Sequence, residues 1–85
     1  MMITALNVAQ SIGFYSRPFH DKQGNVNPKR IVLKTDVGQA DVRLAAFRSM
    51  TNVKPISIKM SDRNVIAVFS AESLNKNIAV PKAKR

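Results

Sequence analysis

The chain has 85 residues, 45% of them apolar, which allows one compact domain with a small core and excludes a second. Fourteen Lys and Arg stand against five Asp and Glu, a net charge of +9, so the natural partner is a polyanion. There is no Cys to build a disulfide framework or a thiolate metal site, no run of about 20 apolar residues to span a membrane, and no early Lys or Arg to start a secretory signal, so a cytoplasmic protein is expected.

Over 6–14 the apolar residues Leu6, Val8, Ile12 and Phe14 fall on alternate positions, interrupted by Gln10, a period-two pattern that predicts a half-buried strand. Pro18 blocks its continuation. The polar stretch 20–28, with Gly24 inside it, reads as turn or loop. A second strand is expected over 30–37, with Ile31, Leu33 and Val37 on one face, so that the two strands form a long basic hairpin, or wing, tipped by Arg17, His20, Lys22, Lys29 and Arg30. Asp36-Val37-Gly38 ends it.

The segment 40–50 fits two readings. Val42, Leu44 and Ala46 alternate as in a strand, whereas the Ala content and the pair Arg43 and Phe47 suit a short helix. Beyond a loop at 51–55, Ile56, Ile58 and Met60 alternate cleanly with Ser57, Lys59 and Ser61. The turn Ser61-Asp62-Arg63-Asn64 and the β-branched run 65–69 then return antiparallel to that strand. A helical turn or loop is expected over 71–77 and a short strand over 78–80. Pro81 starts a basic tail of Lys82, Lys84 and Arg85. The organisation expected is one binding domain over 1–80 and the tail over 81–85. Its fold class is all-β: a small five-stranded, partly open barrel of the oligonucleotide-binding kind with the wing extended from it. The rival is α+β, an antiparallel sheet with one helix at 40–52.

Catalysis needs convergent titratable groups, and a single His, five spaced acids and no nucleophile motif do not supply them. His20 beside Asp21 reads as an exposed loop residue. No enzyme activity, cofactor or metal is expected. The informative region is 14–19, where three of the five aromatic residues, Phe14, Tyr15 and Phe19, lie beside Arg17, Lys22, Lys29 and Arg30. Single strands expose a charged backbone and flat base faces, and their binders pair cations with rings. Alternation assigns Phe14 to the core and Tyr15 and Phe19 to base stacking, with Arg17, Lys22, Lys29, Arg30 and Lys34 on phosphates. Any one of the remaining cations, Arg43, Arg48, Lys54, Lys59 and Arg63, reads as a solvated surface charge, but several of them on one sheet face would track a phosphate backbone. The function expected is binding of single-stranded nucleic acid without sequence preference. An interaction protein docking on an acidic host factor and an RNA-binding module are the alternatives. Self-repulsion of the excess charge in so small a core leads us to expect a homodimer.

The strings Met2-Ile3, Asp21-Lys22-Gln23-Gly24, Asp36-Val37-Gly38 and Val80-Pro81 followed by Ala83-Lys84 give the chain a layout that resembles the gene V-type helix-destabilising proteins of filamentous phages. That resemblance implies a phage protein acting in the host cytoplasm. It would be a dimer of small barrels coating single-stranded DNA, DNA being favoured over RNA, with contacts from Arg17, Lys22 and Tyr15 or Phe19. The family's wing is richer in Tyr, whereas Asn25-Val26-Asn27-Pro28 here has no ring. The run Phe14-Tyr15-Ser16-Arg17-Pro18-Phe19, followed by a helix at 40–52, is also similar to small nonstructural DNA-binding proteins of icosahedral single-stranded DNA phages, which implies an α+β fold.

Overall fold

The computed structural model describes residues 2–79. A short strand β1 (Met2–Thr4) runs directly into helix α1 (Ala5–Ile12). Thr4 makes the start. Its hydroxyl accepts from the Asn7 amide at 3.2 Å while the Asn7 side chain accepts from the Thr4 amide at 3.2 Å, a reciprocal cap that satisfies two amides the helix leaves open. Gly13, at φ 129°, ends the helix. Ala5, Val8, Ala9 and Ile12 form its inward stripe. The strand expected over 6–14 is therefore a helix. Leu6, Val8, Ile12 and Phe14 do alternate, but Ala5 and Ala9 complete a 3.6-residue period that the capped end then enforces.

A basic hairpin forms, but its first strand is not the one expected: β2 (Tyr15–His20), which runs through the Pro18 expected to block a strand, pairs antiparallel with β3 (Val26–Asp36), which starts inside the expected loop. Asp21 shapes the turn, its carboxylate accepting from the amides of Gln23 and Asn25 at 2.9 Å each. Helix α2 (Val37–Thr51) decides the open choice at 40–50, with Ala40, Phe47 and Thr51 buried and Leu44 half-buried along one side. Asn52 closes it in the left-handed region at φ 57°. The second expected hairpin follows as β4 (Ser57–Ser61) and β5 (Asn64–Ser70), then one turn of helix, α3 (Ala71–Leu74), and β6 (Asn77–Ala79), which pairs with β1. The basic tail over 81–85 lies outside the described residues.

The main sheet is open and antiparallel, in the order β2-β3-β5-β4. The barrel expected from the strand count, and implied by the filamentous-phage resemblance, is not formed, and the class is α+β. The physical reason is that α1 and α2 take up the two segments a barrel would have used as strands. Both helices, together with α3, lie on one face of the sheet, where Ala5, Val8, Ala9, Phe47 and Leu74 pack with Leu33, Ala67 and Phe69. Phe47 is the hub. Its ring meets Phe14 edge-on at 6.1 Å and Phe69 at 5.3 Å, so Phe14 is a core residue as expected.

Arg43 is not a solvated charge. From α2 its Nη1 donates to Thr35 Oγ1 at 2.7 Å and to the Gly13 carbonyl at 3.3 Å, and lies 3.7 Å from the Asp36 carboxylate, bracing three elements. A side chain at position 13 would place its Cβ 2.7 Å from that guanidinium carbon. No helix among the described residues is long and apolar enough to cross a membrane.

Candidate functional site

With the helices on one face, the pleat sends alternate residues of every strand to the other. Leu33, Thr35, Ala67 and Phe69 turn toward the helices, so the residues between them face away, and no described helix covers them. The register lines these residues up across the strands. Tyr15 opposes Lys34, Lys34 opposes Ile66, and Ile66 opposes Lys59. In the next row Arg17, Val32, Val68 and Ser57 lie side by side. Beyond it Arg30, opposite Ser70, holds its guanidinium carbon 5.7 Å from the centroid of the Phe19 ring. At about 4.8 Å per strand, each four-strand row spans about 14 Å.

The bare face therefore has an apolar middle, Val32, Ile66 and Val68, ringed by four cations, Arg17, Arg30, Lys34 and Lys59, and two aromatic rings. Tyr15 is 69% exposed, with its ring free for a ligand. Phe19 is half-buried and carries the guanidinium on one side. No carboxylate stands in the rows that hold these four cations; Asp36, the last residue of β3 and of the same parity as Lys34, lies one row beyond them opposite Asn64. Asp21 sits in the wing turn, Asp36 at the β3–α2 junction against Arg43, Asp41 on α2, Asp62 in the β4–β5 turn and Glu72 on α3. Uncompensated positive charge on a surface of this kind raises the local concentration of anions.

Of the residues expected from sequence, Tyr15, Arg17, Phe19, Arg30 and Lys34 come together here. Lys22 does not; it is exposed in the turn at the wing tip. Lys29 lines an open cleft of about 600 Å³ between the wing and α3, which it shares with Arg30, Ser70 and Glu72. His20 is exposed at the end of β2. Lys59, expected only as one of several cations spread over the strands, joins this face individually. Its alternation against Ile58 and Met60 was visible, but its membership of this face depends on β4 pairing with β5 on the far side of β3, which no local pattern encodes. Among the described residues no three His, Cys, Asp or Glu side chains are grouped to hold a metal ion.

Comparison with protein families, curated proteins and solved structures finds no match.

Proposed function

We propose that the protein binds single-stranded nucleic acid, DNA being the expected form, on the uncovered face of its sheet, without sequence preference and without catalysis. One observation carries this reading: an exposed ring, Tyr15, stands beside Lys34 on a face that holds four cations and, at its edge, one acid, Asp36, which already faces Arg43. An unpaired strand offers both surfaces this face can use. Its bases stack on Tyr15 and beside Phe19, while its phosphates lie against Arg17, Arg30, Lys34 and Lys59. Lys22 at the wing tip adds charge where the strand leaves the sheet. Contacts to phosphates and ring faces fix position and carry no base identity, hence the lack of sequence preference. The setting is the cytoplasm, of the host where the protein is viral.

Fluorescence anisotropy with oligo-dT, oligo-U and a duplex of equal length, each titrated across a salt series, tests the reading. Both single strands should bind more tightly than the duplex, whose bases are stacked away from Tyr15. Neutralising four phosphates gives a log–log salt slope of about −2.8. The two single-stranded arms separate DNA from RNA. Equal affinity for the duplex, or binding that ignores salt, would refute the proposal.

A further inference from the structure

The two outer strands of the main sheet are finished differently. β2 carries Pro18, which has no N–H to offer a neighbour, and its pairing with β3 slips between Pro18 and His20. Both features keep an edge from recruiting another strand. β4 has neither. Its register runs without a shift from Ser57↔Val68 to Ser61↔Asn64, and among the described residues nothing pairs on its outer side. Ile58 and Met60 stand on the helix side yet remain 51% and 65% exposed, and Ile56, just ahead of the strand, is 51% exposed. Met50 on α2 is exposed as well, and a groove lined by Leu44, Val53, Pro55 and Ile58 separates that helix from β4. A regular edge with an apolar flank is a template for strand addition.

We propose that β4 pairs antiparallel with β4 of a second copy, about a two-fold axis perpendicular to the sheet at Ile58. Pairing that keeps like faces together can slide only in steps of one residue along the axis, and side-chain chemistry separates the choices. An axis at Lys59 sets the two ammonium groups directly opposite, which is destabilising. An axis at Ser57 leaves Met60 facing Lys54. With the axis at Ile58, Ile58 meets Ile58, Ile56 meets Met60 on both sides, and Ser57 meets Lys59. Three apolar pairs then form on one flank, and no like charges oppose. The same register brings Asp62 of each copy level with Lys54 of the other, one opposite-charge pair at each end of the joint.

This complementarity exists only under the two-fold, which selects a second copy over an unrelated strand. Because the axis is perpendicular to the sheet, the two bare faces lie on the same side, so the joined sheet of eight strands offers one continuous basic surface. The pairing itself does not rest on nucleic-acid binding.

The chain contains no Cys, so single cysteines report the register cleanly. Residues directly opposite in an antiparallel pair have Cα atoms about 4.5–5.5 Å apart, within disulfide reach of about 4.4–6.8 Å. Ile58→Cys should form a covalent dimer on mild oxidation. Met60→Cys alone should not, but mixed with Ile56→Cys it should give the cross-linked heterodimer. In sedimentation equilibrium without nucleic acid the unaltered chain should be dimeric, and Ile58→Lys monomeric with an unchanged circular dichroism spectrum. An unaltered chain that sediments as a monomer overturns the proposal. So does a dimer that survives Ile58→Lys, or Met60→Cys cross-linking to itself as readily as Ile58→Cys.

Discussion

Replacing Arg17 and Lys34 together by Gln separates the charge of the bare face from its shape. Arg17 lies opposite Val32, and Lys34 lies between Tyr15 and Ile66, so both stems cover the apolar middle of the sheet, and Gln keeps part of that cover while removing two charges. If Arg17, Arg30, Lys34 and Lys59 each neutralise one phosphate, the salt slope of about −2.8 falls to about −1.4. Raising salt from about 50 to about 200 mM then weakens the parent about 50-fold but the variant only about 7-fold. The two binding curves converge as salt rises. Tyr15→Ala should behave in the opposite way. Its exposed ring contributes a stack of about 1–3 kcal/mol, so binding weakens about 5- to 140-fold at every salt concentration with the slope unchanged. Anisotropy titrations of oligo-dT at four or more salt concentrations measure both effects. A double variant that keeps the parental slope, or a Tyr15→Ala protein that binds as the parent does, would show that this face is not the contact surface.

Gly13→Ala should lower the urea midpoint, since φ 129° and a Cβ placed 2.7 Å from the Arg43 guanidinium carbon together cost about 1–3 kcal/mol or more. Phe47→Ala removes the ring that joins Phe14 to Phe69 and should cost about 3–5 kcal/mol, a large share of the stability of so small a domain, read as a much lower thermal midpoint. Thr4→Ala takes away the α1 cap and should cost about 0.5–2 kcal/mol, with faster amide hydrogen exchange at Asn7 and no change in oligonucleotide affinity.

Where local chemistry decides, the chain could be read directly. The β4–β5 hairpin follows from clean alternation before Ser61-Asp62-Arg63-Asn64 and the β-branched run after it, and the wing turn from Asp21 and Gly24. Phe14 is buried and Tyr15 exposed as expected, although the expected strand over 6–14, whose alternation suggested it, is a helix. The failure at α1 has a specific cause. An eight-residue helix and a nine-residue alternation share Leu6, Val8 and Ile12, and the signal that breaks the tie is polar: Thr4 and Asn7 at cap spacing before the stripe and Gly13 after it. At α2 the inward stripe is thin, interrupted by Arg43, and its outward side bears Val42 and Met50, so its apolar residues do not mark one side. Arg43 itself was illegible as a brace because its partners, Gly13 and Thr35, come from two other elements.

Long cationic side chains on a sheet have an ordinary structural use, since their stems shield apolar neighbours while their heads reach water. Val68, in the same row as Arg17, is only 4% exposed although it lies on the face away from the helices. Shielding accounts for long stems but is indifferent to their sign, because Glu and Gln stems cover carbon as well as Lys and Arg stems do. In the rows that carry Arg17, Arg30, Lys34 and Lys59 the sign is uniform. Of the five acids only Asp36 lies in a strand, at the very end of β3 and 3.7 Å from Arg43, and the other four are held in turns or on helices. Nor does shielding account for Tyr15, a large ring left 69% exposed at the end of the row that Lys34 and Lys59 occupy. Uniform sign and an idle ring are what a stacked, negatively charged strand requires and what sheet stability alone does not. The Gln variants test that distinction, because a face built only for shielding would tolerate them at every salt concentration.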